Sequence, residues 1–320
     1  MRAYALRRLL LLVPTLIGIS LLAFGLIKLA PGDAAAEFLR RTTDRPPTGQ
    51  EIEQVRRELG LDRPFAVQYA RWLERAVQGD LGVSYSTRQP VVAELHRRVP
   101  FTLELAIPAA LLAIAIALPA GVISALRPNR PVDHAMRLLS LAGASMPGFW
   151  LALLLIIVFA VRLSLVPVAG RGGPASLVLP VITLAVTPAA TLARFTRSTL
   201  LETLGEDYIR TARAKGVPAW SILFRHALRN ALIPIVTVFG TNVGHLLAGA
   251  SGLAVIETIF VWPGLGKLAV DAISQRDYPM IQAFVLFAGT TFVLINLVVD
   301  LSYAAIDPRV RLDRATGTPR

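Results

Sequence analysis

The stretch Leu105–Leu126 reads LAIPAALLAIAIALPAGVISAL, and none of its 22 residues is Asp, Glu, Lys or Arg. A run of this length can cross the ~30 Å hydrocarbon core of a bilayer as one helix. Only helices and closed barrels satisfy their backbone in lipid, and this run lacks the alternation of a barrel strand. The sequence therefore predicts an all-α integral membrane protein.

Five further stretches are also free of these four charged residues: Leu9–Ile27, Leu138–Val161, Gly172–Ala193, Asn230–Ile256 and Tyr278–Val299. The first is longer than the apolar core of about 7–15 residues in a secretory signal, so we interpret it as a retained helix. The sequence thus predicts six transmembrane helices. It divides into a first helix at 1–30, an extracytoplasmic segment at 31–99, a five-helix membrane domain at 100–306 and a tail at 307–320.

The basic residues predict the orientation of these helices. The net charge is +12, and the Arg and Lys residues concentrate in alternate segments between the spans. The two short loops on the other side hold only Arg162, Arg171, Lys267 and Arg276. The positive-inside rule then places both termini in the cytoplasm. Topology explains the charge, and no basic-aromatic groove is visible, which argues against nucleic-acid binding. The chain has no cysteine, which excludes disulfides and thiolate metal sites.

The extracytoplasmic segment contains the pattern of two amphipathic helices. Thr48 and Glu51 have the spacing of a capping box, followed by apolar residues on one helical face. A second stripe contains Phe65, Tyr69 and Trp72. Two helices of this size would not form an independent core. We expect them to lie against the outer membrane surface or to cap the helix bundle, rather than to form a substrate-binding domain.

The cytoplasmic loop at 194–230 carries the signals of a short, well-ended helix. Glu206 and Asp207 stand at its start and Arg213 and Lys215 at its end, as the helix dipole favours. Glu206 and Arg210 are spaced i,i+4, and Gly216 supplies a left-handed stop. The pattern favours a docking surface over a solvated loop whose arginines merely fix topology. Its candidate residues are Glu206, Asp207, Tyr208, Ile209, Arg210, Ala212, Arg213, Ala214, Lys215 and Gly216.

The roles expected within this loop differ from residue to residue. Small residues at Ala212 and Ala214 would let a partner backbone approach, and Tyr208 and Ile209 would be apolar anchors for that partner. A second helix follows, with a stripe of 3.6-residue period that should pack on the bundle. This stripe comprises Trp220, Leu223, Phe224, Ala227 and Leu228.

At these residues the chain resembles the permease subunits of ATP-binding cassette importers, in the dipeptide, oligopeptide and nickel branch. That branch has a helix ended by glycine and then a leucine-proline or isoleucine-proline pair, which Asp207–Gly216 and His226–Pro234 match. Further matching stretches run from end to end of the chain: Leu29–Asp33, Gly79–Ser84, Pro100–Leu105, Glu257–Gly266, Asn296–Asp300 and Ile306–Arg311.

The resemblance implies a type I importer bundle in the cytoplasmic (inner) membrane that carries short peptides by alternating access. It implies that Tyr208–Gly216 is a coupling helix seated on a separate ATPase subunit. The implied partners are a second homologous permease, one or two ATPase subunits and an extracytoplasmic binding protein. Nickel or another small solute is an alternative cargo. Pro147, Pro180, Pro188 and Pro234 are expected bend points of the spans.

No motif predicts catalysis, a metal or a cofactor bound by this chain. Gly264-Leu265-Gly266-Lys267 lacks the spacing of a phosphate loop and is interpreted as an outer re-entrant or surface turn. ATP would therefore be hydrolysed by the partner subunits. No two of the four histidines have metal-ligand spacing. Glu257 and Asp277 fall in a predicted outer loop with no sign of a catalytic role.

Polar residues within the spans are candidates for the transport pathway, because polar groups at that depth are costly. The candidates are Ser145, Asn242, His245 and Asn296. Helix-helix hydrogen bonds are the alternative interpretation of the same residues. A stand-alone secondary transporter would need ionisable residues inside the bundle, and the spans contain no Asp, Glu, Lys or Arg. A membrane enzyme would need a catalytic constellation that the sequence lacks.

Overall fold

The computed structural model describes residues 2–29, 33–42, 45–58, 60–247 and 252–306. Within these ranges the regular elements are helices, apart from one β-bridge between Val83 and Pro90. The helices are α1 (Arg2–Leu29), α2 (Ala34–Thr42), α3 (Gly49–Glu58), α4 (Phe65–Val77), α5 (Val91–Leu126), α6 (Pro131–Ser145), α7 (Gly148–Leu155), α8 (Ala175–Gly205), α9 (Asp207–Ala214), α10 (Ala219–Ser221), α11 (Leu228–Leu247), α12 (Leu253–Ile259), α13 (Leu265–Ser274) and α14 (Tyr278–Ile306). Two π-helical segments, Ile156–Arg162 and Ile222–Ala227, follow α7 and α10. The predicted tail at 307–320 lies outside the described residues.

Four stretches of helix are long and apolar enough to cross a membrane: Val91–Leu126, Ala175–Gly205, Ala219–Leu247 and Tyr278–Ser302. A fifth candidate is the pair formed by α6 and α7 with its π-helical extension. The predicted first span lies in α1, whose stretch Leu10–Gly25 is a shorter apolar helix. The expectation of an all-α membrane protein is confirmed.

Two predicted spans differ in shape from single helices. Leu138–Val161 is broken, because α6 and α7 meet at an angle of 102°. The cause is Pro147, which has no N–H to continue a helix and forces the residue before it, Met146, into extended backbone with ψ 121°. Asn230–Ile256 is also interrupted: α11 ends at Leu247, and Leu253–Ile259 forms the separate helix α12.

The core of the bundle is built from α5 and α8, which approach closely along a seam of small residues. A Cβ placed on Gly121 of α5 would lie 2.6 Å from the Cβ of Thr196 and 2.8 Å from the carbonyl oxygen of Ala193, both on α8. The buried small residues of this seam are Ala109, Ala113, Ala117, Ala185, Ala189 and Ala193. Small residues let two helices in a membrane bring their backbones together. Large apolar side chains such as Leu138 and Trp150 instead stay exposed on the outer faces.

The two amphipathic helices predicted within 31–99 form as α3 and α4, and α4 packs on α1. The capping box of α3 is formed: Thr48 N–H donates to the Glu51 carboxylate at 2.8 Å, and Glu51 N–H donates to Thr48 Oγ1 at 3.4 Å. The aromatic stripe of α4 contacts α1, with the rings of Phe24 and Trp72 5.7 Å apart. Tyr69 forms a 2.7 Å hydroxyl–hydroxyl hydrogen bond with Ser20. These contacts hold α4 against the C-terminal half of α1.

Candidate functional site

The loop at 194–230 contains the short helix that its sequence predicts. α9 spans Asp207–Ala214, and only Glu206 separates it from the end of α8 at Gly205. Gly216 has φ +75°, the left-handed conformation expected of a helix stop. Its N–H donates to the carbonyl of Arg213 at 3.0 Å, and Val217 N–H donates to that of Ala212 at 3.1 Å. This pair of bonds is a Schellman motif, so the predicted stop is confirmed.

Ile209 does not serve as an anchor for a partner, contrary to the sequence-based expectation. It is fully buried against the protein's own core, in a cluster that includes Leu200, Ile222 and Ala227. Ala212 packs at the edge of the same cluster. The reason is geometric: a helix of eight residues has one apolar face, and here that face covers the end of α8 and the segment after α10. α9 is therefore attached firmly to its own bundle.

The opposite face of α9 is exposed and charged. Glu206, Asp207, Tyr208, Arg210, Arg213, Ala214, Lys215 and Gly216 all lie at the surface. Arg210 pairs with Asp207 at 3.2 Å rather than with Glu206, which corrects the predicted i,i+4 pair. Both side chains are mostly exposed, and such pairs contribute little to stability. The hydroxyl of Tyr208 accepts a hydrogen bond from Asn230 at 2.7 Å, which ties it to α11.

The segment after α10 buries a different set of residues from the predicted stripe. Leu223 and Ala227 are buried as expected, together with Ile222. Trp220 and Phe224 are instead 69% and 61% exposed. The π-helical hydrogen bonding of Ile222–Ala227 widens the turn, so the 3.6-residue period does not hold there. Two aromatic side chains of this segment are therefore exposed.

A groove of about 370 Å³ lies between the α6–α7 bend, α8, α11 and α12. Thr183, Thr187 and Thr191 of α8 line one wall, and Asn242 and His245 of α11 line another. None of its lining residues is Asp, Glu, Lys or Arg. The groove therefore offers hydrogen-bonding groups without a fixed charge.

The structure brings together two of the four candidate pathway residues. Asn242 and His245 both line the groove, and Nδ2 of Asn242 is buried without a hydrogen-bond partner among the described residues. Ser145 is exposed at the end of α6, next to Met146 of the lining. Asn296 lies on α14, and its Nδ2 donates to the carbonyl of Phe292 in its own helix at 3.1 Å. Asn296 thus lies apart from the groove.

The sequence suggested that Glu257 lies in an outer loop, but this residue is fully buried within α12. Its carboxylate accepts hydrogen bonds from the hydroxyl of Thr102 at 2.8 Å and from Lys267 N–H at 2.9 Å. Burial raises the pKa of Glu257, against the effect of these donors. A Cβ on Gly264 would lie 2.0 Å from Oε1 of Glu257, so a larger residue there would displace this carboxylate. Gly264-Leu265-Gly266-Lys267 therefore starts the buried helix α13 and is not a surface turn.

Asp277 forms a second buried hub that the sequence did not reveal. It is fully buried and accepts from Ser86 Oγ at 2.7 Å, from Tyr85 N–H and Ser86 N–H at 3.1 Å each, and from Ser84 Oγ. Burial and the nearby charge of Asp277 raise the pKa of Tyr85 to about 12. These contacts join the segment before α5 to the start of α14. In the sequence, the one indication of this contact is the stretch Gly79–Ser84, which matches the importer permease branch.

Within the described ranges, no group of three or more His, Asp or Glu side chains is arranged to hold a metal ion. Two of the surfaces in the described ranges that can contact another molecule are the exposed face of α9 and the uncharged groove.

Comparison with known proteins agrees with this architecture. Residues 117–312 match the family described as binding-protein-dependent transport system inner membrane component, and residues 1–106 match its N-terminal family. The di/tripeptide transport system permease protein DppB of Pseudomonas aeruginosa is 43% identical, covering 98% of this chain and all of that protein. The glutathione transport system permease protein GsiC of Escherichia coli K12 is 44% identical, over 96% of this chain and 98% of that protein.

A solved structure shares the fold. A chain of the MetNI methionine ABC transporter in an inward-facing conformation superposes with a TM-score of 0.54 and 22% identity, covering 67% of this chain and 96% of that one. The dipeptide transport system permease protein DppB of Escherichia coli K12 is 41% identical over 97% of this chain and 99% of its own length. The chain therefore belongs to the family of binding-protein-dependent transport system inner membrane components.

Proposed function

We propose that this chain is a permease subunit of an ATP-binding cassette importer for short peptides, and that α9 couples it to a separate ATPase subunit. The observation that carries the proposal is the two-sided build of α9. Its inner face is fixed to the bundle by the fully buried Ile209, and its outer face is charged, exposed and ended by the left-handed Gly216. A stiff helix of this kind can transmit a displacement, because its contacts with a partner are presented on a rigid base.

The groove supports an uncharged route for the cargo. Peptide backbones carry amide donors and carbonyl acceptors, and the threonines of α8, Asn242 and His245 give the groove a polar lining for them. Without a fixed charge in its lining, the groove would accept peptides with various side chains. The names of the relatives, which refer to dipeptides, di/tripeptides and glutathione, support the same class of cargo.

The proposal includes the partners of the chain. A second homologous permease would close the open side of the groove, and one or two ATPase subunits would bind on the α9 side. An extracytoplasmic binding protein would deliver the peptide at the opposite face. The assembly would lie in the cytoplasmic membrane, with α9 in the cytoplasm. The charge-free lining of the groove argues against a stand-alone secondary transporter, which needs an ionisable group at its ion site.

The coupling role is tested with the complete complex in proteoliposomes. Ala214→Trp places a bulky side chain on the exposed face of α9 and should abolish ATP-driven uptake of a radiolabelled dipeptide, with normal membrane insertion. Ala66→Trp, at an exposed alanine of α4, is the matched control and should leave uptake intact. Uptake that continues when the ATPase subunits are omitted would refute the proposal.

The groove is tested with a matched pair of asparagines. Asn242→Ala removes the amide that lines the groove, whereas Asn296→Ala removes an amide bonded to its own helix. We expect Asn242→Ala to lower uptake of the dipeptide without lowering the basal ATPase rate, and Asn296→Ala to leave uptake near the wild-type value. Equal effects of the two changes would contradict a cargo-contacting role for Asn242.

A further inference from the structure

A buried ion pair joins α6 to α8 near their cytoplasmic ends. Asp133, in the first turn of α6, is fully buried, and both of its carboxylate oxygens accept from Arg197 of α8, from Nε and Nη2 at 2.7 Å each. The carboxylate also accepts from the backbone N–H of Asn129 at 2.9 Å and from the hydroxyl of Ser124. One carboxylate thus connects the last turn of α5, the α5–α6 turn, α6 and α8.

The geometry of the pair fixes position more than it adds stability. Replacing a buried ion pair by apolar residues is often neutral or stabilising, so its presence is weak evidence for a stabilising role. A bidentate guanidinium–carboxylate contact, in contrast, sets both the distance and the mutual orientation of the two helices. The side chain of Arg197 is only 21% exposed and that of Asp133 is fully buried, so water screens the contact little.

A second contact fixes α6 on α8 near the bend. A Cβ on Gly143 would lie 3.1 Å from Cγ1 of Val186 and 3.2 Å from the Cβ of Ala190, which shows how closely the two helices approach. The hydroxyl of Thr187 also donates to the carbonyl of Gly143 at 3.3 Å. With the ion pair at one end and this close approach at the other, α6 cannot slide along α8 without breaking one of them.

These two helices stand between α9 and the groove. Arg197 lies eight residues before the end of α8 at Gly205, which is ~12 Å along a helix, and α9 follows directly. The other end of α6 leads into the bend at Met146, whose side chain and the neighbouring Phe149 line the groove. The continuous path therefore runs from α9 along α8, across the ion pair and along α6 to the groove wall.

We infer that the Asp133–Arg197 pair is the link that makes α6 and the bend move with α8 when α9 is displaced, so that one groove wall responds as a unit. Asp133 and Arg197 are thus positioning residues for transport and do not touch the cargo. The inference rests on the proposed function, since it assumes that α9 receives its displacement from an ATPase. Without the link, α6 would be held on α8 only by the contact at Gly143, and ATP hydrolysis would reshape that wall less effectively.

The test is the number of dipeptides transported per ATP hydrolysed by the complete complex in proteoliposomes. Arg197→Lys keeps the charge and loses the bidentate fork, and Asp133→Asn keeps the shape and loses the charge. We expect this ratio to fall about fivefold or more in both variants, the lower end of the effects typical of coupling between distant sites. Partial loss of folded complex does not move the ratio, because uptake and hydrolysis fall together.

Glu104→Gln is the matched control, because Arg171 and Glu104 form the same bidentate contact, at 2.7 and 3.0 Å, on the outer side of the bundle. An unchanged ratio in either test variant, or an equal fall in Glu104→Gln, would overturn the inference. Failure of both test variants to assemble would also overturn it, since the pair would then be needed for folding alone. Ala214→Trp measured alongside separates the two proposals: if it uncouples while Arg197→Lys does not, only the link is wrong.

Discussion

Replacing Gly216 by valine should uncouple ATP hydrolysis from peptide uptake while the helix bundle stays folded. Gly216 ends α9 with φ +75°, and a Cβ placed there would meet no heavy atom within 4 Å. The substitution therefore causes no collision, and its whole effect comes from backbone conformation. A β-branched residue at this φ is strongly disfavoured.

The size of the effect follows from the same geometry. An L-residue in the left-handed region costs roughly 1–2 kcal/mol, and about 1.4 kcal/mol is a factor of ten in population. α9 has eight residues with Ile209 as its fully buried side chain, so its opening is a local event and does not unfold the bundle. The equilibrium constant between α9 with its end intact and α9 with its end open should thus fall by about 5- to 30-fold.

The assay compares ATPase activity and dipeptide uptake of the reconstituted complex for three versions of the chain. Gly216→Asn is the matched control, because asparagine tolerates the left-handed conformation, and it should retain most of the uptake per ATP. Circular dichroism should show the same helix content in all three. Wild-type uptake per ATP in Gly216→Val would refute the reasoning, and so would equal losses in the valine and asparagine variants.

Three further predictions concern the folded state and are measured as thermal midpoints of the purified protein in detergent. Gly121→Ala should cost about 1–3 kcal/mol, because its Cβ would lie 2.6 Å from a neighbouring side chain, whereas Gly18→Ala, with open space around it, should cost nothing; equal midpoints would contradict the close approach. Trp262→Phe should cost about 1–3 kcal/mol, because Nε1 of this buried residue donates to the carbonyl of Phe101 at 2.8 Å, and an unchanged midpoint would show that bond to be dispensable. The pKa of Glu257 is raised by burial, so the folded state binds its proton more tightly than the unfolded state: the associated stabilisation is present below pH ~4.5 and is lost as the pH rises through the folded pKa. As the pH rises through the folded pKa, the thermal midpoint of the wild type should therefore fall more steeply than that of Glu257→Gln. Parallel plots of the two midpoints against pH would contradict the raised pKa.

The sequence predicts the all-α membrane fold and the ends of α9 well, because both depend on local chemistry. A charge-free run of about twenty residues has few alternatives to a spanning helix, and a glycine after a basic last turn specifies a helix stop. The capping box at Thr48 and Glu51 is likewise a contact between near neighbours. In these places the residues that make the contact are also close in the chain.

The features that sequence analysis missed depend on partners distant in the chain. Glu257 is bonded to a hydroxyl 155 positions away, and Asp277 to one 193 positions away, so neither burial could be read from local spacing. The exposed Trp220 has a different cause: the π-helical turn after it breaks the 3.6-residue period on which the predicted stripe rests. The burial of Ile209 could not be predicted, because the sequence of a short amphipathic helix does not specify whether its apolar face packs on its own bundle or on another subunit.

The buried carboxylate of Asp277 has a consequence for how this chain can be recombined. It holds the loop at Ser84–Ser86, which lies within the N-terminal family match at 1–106, while the carboxylate itself belongs to the later match at 117–312. A hybrid that takes its first part from one relative and its second from another would keep this joint only if both hydroxyls and the carboxylate were inherited together. Otherwise the buried carboxylate would lose its hydrogen-bond donors. Each buried polar group left without a partner costs about 1–3 kcal/mol of folding free energy. The two parts of the chain are therefore not interchangeable between relatives unless the residues at this contact match.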